Sequence, residues 1–325
     1  MKTKPLRETT TRTMYYGKGD VFVYRTYAKP LKGIKQIPES AFFGRKNTIL
    51  GMDIRIALKG EAFLPSFTTG DNSLVIATDS MKNFILYHAG EYEGATMEGF
   101  LEYVSKEFFK QYAHVQGVVI SGRQLPFIEV DVPAEDGGFK PSATVFRQRQ
   151  LEYPVALLEM ARTEDDDYEI VEQSSGIEGL HLVKVRGSSF HGYIKDEFTT
   201  LPEAFDRPLF IYLTIRWRYK NGKDARGKYP VNYVCAEQVV HIAQTVFAEE
   251  NSPSIQHLVY TIGKRILDRF PQLTEVMFES NNRTWETVLD EIPSSLEGKV
   301  FTDPQPPYGF QVFSMTPEDL GTGEG

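Results

Sequence analysis

The sequence is short of almost everything from which common catalytic sites are built. One cysteine, Cys235, stands among 325 residues; no disulfide can form within the chain, and its place in an apolar helical pattern marks a structural thiol rather than a nucleophile. The six histidines, at positions 88, 114, 181, 191, 241 and 257, show no His-x-His, His-Glu-x-x-His or Cys-rich spacing. The acidic run at 164–167 reads as a solvated turn, so no metal centre is expected. There is no Gly-x-Gly-x-x-Gly, no Gly-Lys-Thr phosphate loop and no Gly-x-Ser-x-Gly elbow, which leaves dinucleotide, nucleotide and serine-hydrolase readings without an anchor. No apolar run approaches the ~18 residues of a membrane span. Residues 1–14 form a polar, basic leader without the apolar core of a secretory signal, and residues 317–325 end in a glycine-rich stretch expected to be flexible. A basic face is missing too: the formal charge is −8 and the pI about 5.4, which argues against nucleic acid or an anionic membrane as partner. A reducing, cytoplasmic setting fits all of these.

What is present is enough for two cores. With 41% hydrophobic and 13% aromatic residues, the chain is expected to be soluble and globular, and its length suits two domains. Residues 21–27 read as a strand launched by the turn Tyr16-Gly17-Lys18-Gly19-Asp20, followed by a second strand region at about 48–67. Met97, Phe100, Leu101, Val104, Phe108 and Tyr112 recur at helical spacing, which predicts an amphipathic helix over 97–112. Strands are predicted at 115–121 and 142–160. The outline then returns: strands at 168–172, 180–185 and 208–219, helices at 233–247 and 254–270, and a strand at 273–278. Ser252 is expected to cap the last helix, with Pro253 at its first position. Two strands, two helices and two strands thus occur twice, over 15–162 and 163–316, as a tandem α+β duplication. Each unit is expected to form an antiparallel sheet with helices on one face, the other face being covered by association.

Residues 71–83 are the most suggestive stretch. Leu74, Val75, Ile76 and Ala77 form a short apolar run expected to be a buried strand, and they stop at Thr78-Asp79-Ser80, residue types that cap helices. Two readings stay open on local pattern: an ordinary N-cap, or a polar pocket floor in which Thr78 and free helix-start amides hold an acceptor-rich ligand.

Separate fragments carry a resemblance. Tyr16-Gly17-Lys18; Asp71-Asn72-Ser73 with Ala77-Thr78-Asp79-Ser80-x-Lys82-Asn83; Ser189-Phe190-x-Gly192; Asp196-Glu197-Phe198-Thr199-Thr200-Leu201; Asp206-Arg207; Ser254-Ile255-Gln256; and Asn282 occur in this order. They resemble the successive signatures of urate oxidase (uricase), in its bacterial, Bacillus-like form. The resemblance implies tandem tunnelling-fold (T-fold) modules assembled as a homotetrameric barrel, with active sites between subunits. It also implies oxidation of urate by O2 and water to 5-hydroxyisourate and hydrogen peroxide, without a cofactor. Lys18 and Thr78 are then the catalytic pair. Arg207 and Gln256 grip the flat anionic purine at its edges, Phe190 stacks on its face, the backbone amides of Asp79 and Ile255 complete the in-plane contacts, and Leu201 lines the wall. Thr78 and Asn282 hold O2 or water. Fungal and animal relatives carry Asn-x-His where this chain has Asn282-Arg283-Thr284, so the histidine of their relay has no counterpart at that position. Two other readings are a non-catalytic purine-binding protein of the same fold and a cyclohydrolase-like enzyme, the latter wanting metal ligands that the sequence does not offer.

Overall fold

Side-chain alternation sets the architecture. In the strand Ile49–Lys59 (β2), Met52, Ile54, Ile56 and Leu58 are buried while Arg55 is exposed; in Ala204–Tyr219 (β8), Leu209, Ile211, Leu213, Ile215 and Trp217 are buried in the same period of two. Each strand therefore has one face for a core and one for polar groups. In the computed structural model, residues 12–149, 151–283, 285–302 and 306–321 are described. Most of the polar leader, the last four residues of the tail and Thr284 lie outside them.

The first half runs β1 (Tyr16–Thr26), β2, α1 (Leu64–Thr68), α2 (Thr78–Glu91), α3 (Met97–Gln111), β3 (Gly117–Leu125), the hairpin β4 (Phe127–Pro133) and β5 (Phe139–Gln148), and β6 (Tyr153–Arg162). The second runs β7 (Tyr168–Phe190), β8, α4 (Ala236–Glu249), α5 (Ile255–Arg269), β9 (Leu273–Arg283), the ribbon β10 (Glu286–Leu289) and β11 (Val300–Thr302), and β12 (Gly309–Met315). The order of long strands and long helices recurs, and in both halves a two-stranded ribbon is inserted before the last strand. Eight strands join one antiparallel sheet in the order β1-β2-β3-β6-β7-β8-β9-β12.

One core packs α2 and α3 on the first four strands through Met81, Ile85, Phe100, Leu101, Val104 and Phe108. A second packs α4 and α5 on the other four through Val239, Ile242, Leu258, Ile262 and Ile266. The opposite face is a charged concavity of about 850 Å³. There Arg218 pairs with Glu172 at 2.9 Å and with Glu275 at 2.7 Å, across neighbouring strands.

Several expectations need correction. The strand expected at 142–160 is two strands, β5 ending at Gln148 and β6 starting at Tyr153, whereas the two strands expected within 168–185 are one, β7, bent by register shifts rather than interrupted. Ser254, not Ser252, caps α5: its side chain accepts from the His257 amide at 3.1 Å, while Ser252 Oγ donates to the Ser254 carbonyl. Residues 233–235 precede α4 instead of opening it, and Cys235 is its buried N-cap residue.

Candidate active site

In the first half, Lys18 sits near the start of β1, where Tyr16 pairs with Leu58, Gly17 with Ala57 and Lys18 with Ile56. Directly opposed residues share a face, so Tyr16 and Lys18 lie with buried Leu58 and Ile56 on the helix side. Between them, a Cβ on Gly17 would stand 1.8 Å from the Ile56 carbonyl oxygen; only glycine lets the two strands approach this closely. Just beyond, the register shifts and Asp20 adopts φ 54°.

The buried strand expected at 74–77 does not form. Leu74 is 48% exposed, Ile76 is the one buried residue of the four, and the segment joins no ladder. Its backbone is held by side chains instead. Tyr16 Oη accepts from the Ile76 amide at 2.8 Å and donates to the Ile76 carbonyl at 3.3 Å, and His114 Nε2 donates to the Leu74 carbonyl at 3.0 Å.

Nor is Thr78 a cap. Ala77 is the N-cap residue of α2, with φ −55° and ψ 136°, and no side chain caps the helix. Thr78 and Asp79 are its first two residues, so their amides belong to the open, electropositive end of a helix. Asp79 accepts from Lys82 at 2.6 Å and from Asn83 at 3.0 Å. The Lys82 hydrogen bond holds the Asp79 carboxyl below its ordinary pKa, and the charges of Lys82 and, least, of Lys18 act in the same direction.

In the second half, Phe190 ends β7 opposite Ala204, and Ser188 pairs with Arg207. The Ser189 amide donates to the Ser252 carbonyl at 3.0 Å, tying the end of β7 to the segment that enters α5. Arg207 continues the buried face of β8, two residues before Leu209. Its guanidinium lies over the Phe190 ring at 5.5 Å, and burial lowers its pKa from the ordinary value. Among the described residues its Nε is buried without a hydrogen-bond partner, and no carboxylate pairs with it. A half-buried cation left free of carboxylates is an anion-binding group in waiting.

Asn282 faces Ile211 on β8 and Gly309 on β12. It lies in phase with buried Val276, Phe278 and Ser280 on β9, on the face that packs against α5. Its Oδ1 is also buried without a partner among the described residues. Ile255 and Gln256 are the first two residues of α5; Ile255 is buried and Gln256 exposed.

Tyr193 was not foreseen. Its ring stacks on Phe190 at 4.9 Å and 15°, and its hydroxyl donates to the Leu201 carbonyl at 2.5 Å. It thus couples the 45%-exposed Leu201 to the site. An aromatic three residues from Phe190 was the only signal.

The nine predicted residues form two sets. Lys18, Thr78 and Asp79 cluster at one end of β1. Phe190, Leu201, Arg207, Ile255, Gln256 and Asn282 gather where β7, β8 and β9 meet the start of α5. No hydrogen bond, ion pair or ring contact among the described residues joins the sets, and β1 is five strand spacings from β8, roughly 24 Å along the sheet. One set offers a lysine, a hydroxyl and open amides. The other offers a planar cation, an aromatic face and amide side chains.

A family model described as "Uricase" matches residues 14–158 and 173–312. The "Uric acid degradation bifunctional protein" of Bacillus sp. (strain TB-90) is 55% identical over 95% of this chain, which spans 61% of that protein. The chain therefore covers about three fifths of the length of this bifunctional relative. The "Uricase" of Haloferax volcanii is 51% identical over 94% of this chain and 99% of its own length. Among solved structures, a uricase from "Bacillus fastidious" superposes with a TM-score of 0.93 at 56% identity, covering 96% of each chain.

Proposed function

The chain belongs to the uricase family, and from that premise we propose that it is a urate oxidase acting without a cofactor. The observation that carries the reading is Arg207, half-buried over Phe190 with no carboxylate among the described residues to neutralise it. Urate is flat, anionic and edged with acceptors. Arg207 and Gln256 hold its edges, Phe190 stacks beneath it, the Asp79 and Ile255 amides take in-plane acceptors, and Leu201 closes the wall.

Ground-state O2 is a triplet and reacts slowly with a closed-shell purine, so the substrate must be made electron-rich. Lys18 and Thr78 remove and relay the proton, and Asn282 and Thr78 hold O2 and then water above the ring. Urate loses two electrons to O2, which leaves as hydrogen peroxide with two protons, and the oxygen of water is bonded to the purine as 5-hydroxyisourate forms.

The same reading makes the halves tandem T-fold modules, 15–162 and 163–316, with the site completed between chains. The separation of the two residue sets along the sheet supports this. So do the sheet's free edges, where Phe22 and Tyr24 on β1 and Phe310 and Val312 on β12 are at least half exposed. Such edges invite pairing with another chain. Chains joined edge to edge close a barrel around the ion-paired face and assemble as a homotetramer, in the cytoplasm.

The test is direct. Metal-free protein is mixed with urate, and the loss of urate's ultraviolet absorbance is followed together with peroxide. Equal amounts of urate lost and peroxide formed, indifferent to chelator, are expected. Binding without turnover would replace the reading with a non-catalytic purine-binding protein, and turnover abolished by chelator would overturn the cofactor-free mechanism.

A further inference from the structure

The segment that delivers Thr78 has no secondary structure of its own. Residues 71–77 join no sheet, and their internal hydrogen bonds are few: the Val75 amide donates to the Asn72 carbonyl at 3.0 Å, and the Ser73 amide to Asp71 Oδ1 at 2.9 Å. The groups nearest the helix are answered from elsewhere. Tyr16, 60 residues away in sequence, takes both the amide and the carbonyl of Ile76, and His114, 40 residues away, takes the Leu74 carbonyl.

The two side chains are themselves fixed by one ring. Fully buried Phe63 meets Tyr16 edge-on at 4.9 Å and His114 edge-on at 5.4 Å. Tyr16 stands two residues before Lys18 on the same face of β1, and Ile76 stands two residues before Thr78. The phenol is thus a short rigid link between the lysine's strand and the hydroxyl's helix. Burial raises the Tyr16 pKa, which keeps the proton that its bond to the Ile76 carbonyl requires.

We propose that Tyr16 and His114 are positioning residues, a two-point clamp on residues 74–76 that sets Thr78 and the Asp79 amide at a fixed distance from Lys18. The inference rests on Lys18 and Thr78 being the reacting pair. Nothing local holds them together, since they come from an edge strand and an uncapped helix separated by an irregular segment. A displacement of about 1 Å in such a pair can cost on the order of a hundredfold in rate.

The experiment compares wild type, Tyr16→Phe, Thr78→Ala and the double variant. Tyr16→Phe keeps the ring against Phe63 and removes only the two hydrogen bonds. It is expected to lower kcat roughly ten- to hundredfold, and the double variant should be no slower than Thr78→Ala alone. Losses that multiply would place the action of Tyr16 elsewhere and overturn the proposal, because residues acting through one another are non-additive.

Amide hydrogen exchange over residues 74–79 is read on the same proteins. Tyr16→Phe and His114→Ala should each accelerate it without changing exchange in β2 and β3, and His114→Gln, which keeps a donor, should restore protection. Unchanged exchange in both variants would overturn the clamp. Should the wild-type chain not oxidise urate, the functional reading fails by itself, and the exchange measurement still decides the clamp.

Discussion

The four long helices begin in two different ways, and the halves of the chain use them in opposite order. In the first half α2 starts open to solvent, with Asp79 and Ser80 exposed, while α3 starts buried: Thr96, Met97 and Glu98 are all inside. In the second half it is α4 whose start is buried, at Cys235 and Ala236, and α5 whose start is open at Gln256 and His257. The two buried starts meet across the seam of the chain. Glu98 accepts from Ser175 at 2.8 Å and from Tyr233 at 3.1 Å, Thr96 donates to the Ala225 carbonyl at 3.3 Å, and Arg45 grips Glu237 through two bonds of 2.7 Å. Repetition of one supersecondary unit therefore yields four helix ends with two fates. One pair is spent on joining the halves, and the pair left over, α2 and α5, carries four of the nine proposed site residues, Thr78 and Asp79 at one start and Ile255 and Gln256 at the other. These two are not equivalent in the repeat, which suits the proposal that the first set of residues supplies the proton relay and the second most of the recognition.

The sharpest break in that division is Lys18→Ala. Losing a general base typically costs 10²–10⁴-fold in rate, so turnover should collapse while urate affinity, measured by equilibrium binding, changes little; unchanged turnover would sink the role of Lys18. Arg207→Gln should do the reverse. A lost charged hydrogen bond is worth about 1.5–3 kcal/mol, or roughly ten- to 150-fold in urate Kd. If both variants altered kcat and affinity alike, the division of labour would be wrong. Mixing them tests where the site is built. Chains carrying Lys18→Ala and chains carrying Arg207→Gln, refolded together at equal amounts, should recover up to about a quarter of wild-type sites if each site draws on two chains. No recovery would mean a site within one chain.

Part of this was legible in the sequence. The helix expected at 97–112 ends within a residue of α3 because its six apolar positions repeat at helical spacing, and the acidic run at 164–167 is the exposed turn between β6 and β7. The failures share a cause. The run 74–77 looks like a strand by composition, but its backbone partners are Tyr16 and His114, which no local window contains. Thr78 and Ser252 have capping side chains, yet Ala77 and Ser254 occupy the caps, since cap identity depends on where backbone dihedrals change rather than on residue type. Candidate site residues came from ordered fragments. Their separation into two sets could not be read without the strand order.

The seam gives a smaller effect with a definite sign. Burial raises the pKa of Glu98, against the hydrogen bonds of Ser175 and Tyr233 and the charge of Arg45. A carboxyl whose folded pKa lies above its ordinary 4.5 binds its proton more tightly when folded. Stability should therefore fall as pH rises from about 4.5 through the raised value, then level off. Glu98→Gln removes that slope. Denaturant unfolding at a series of pH values should show the variant gaining on wild type across this window, and a gap that stays constant would place the carboxyl's proton affinity at its ordinary value.

The smallest effects separate α2 from α5 most cleanly, because the same chemistry should have opposite consequences at the two open starts. Ser254→Ala removes a cap from the His257 amide and should cost about 1 kcal/mol of stability, with urate binding only slightly altered. Ala77→Asp supplies the cap that α2 lacks. It should stabilise by up to about 1 kcal/mol, measured as a raised unfolding midpoint. Yet the new carboxylate would compete for first-turn amides and set negative charge where an anionic purine is proposed to dock, so urate affinity should fall. A native uncapped helix start forgoes stability that one substitution could supply, and a ligand that uses those amides is a physical reason for that vacancy to persist. If Ala77→Asp raised both stability and affinity, the open start of α2 would be an ordinary helix end, and the asymmetry between the two helices would carry no functional meaning.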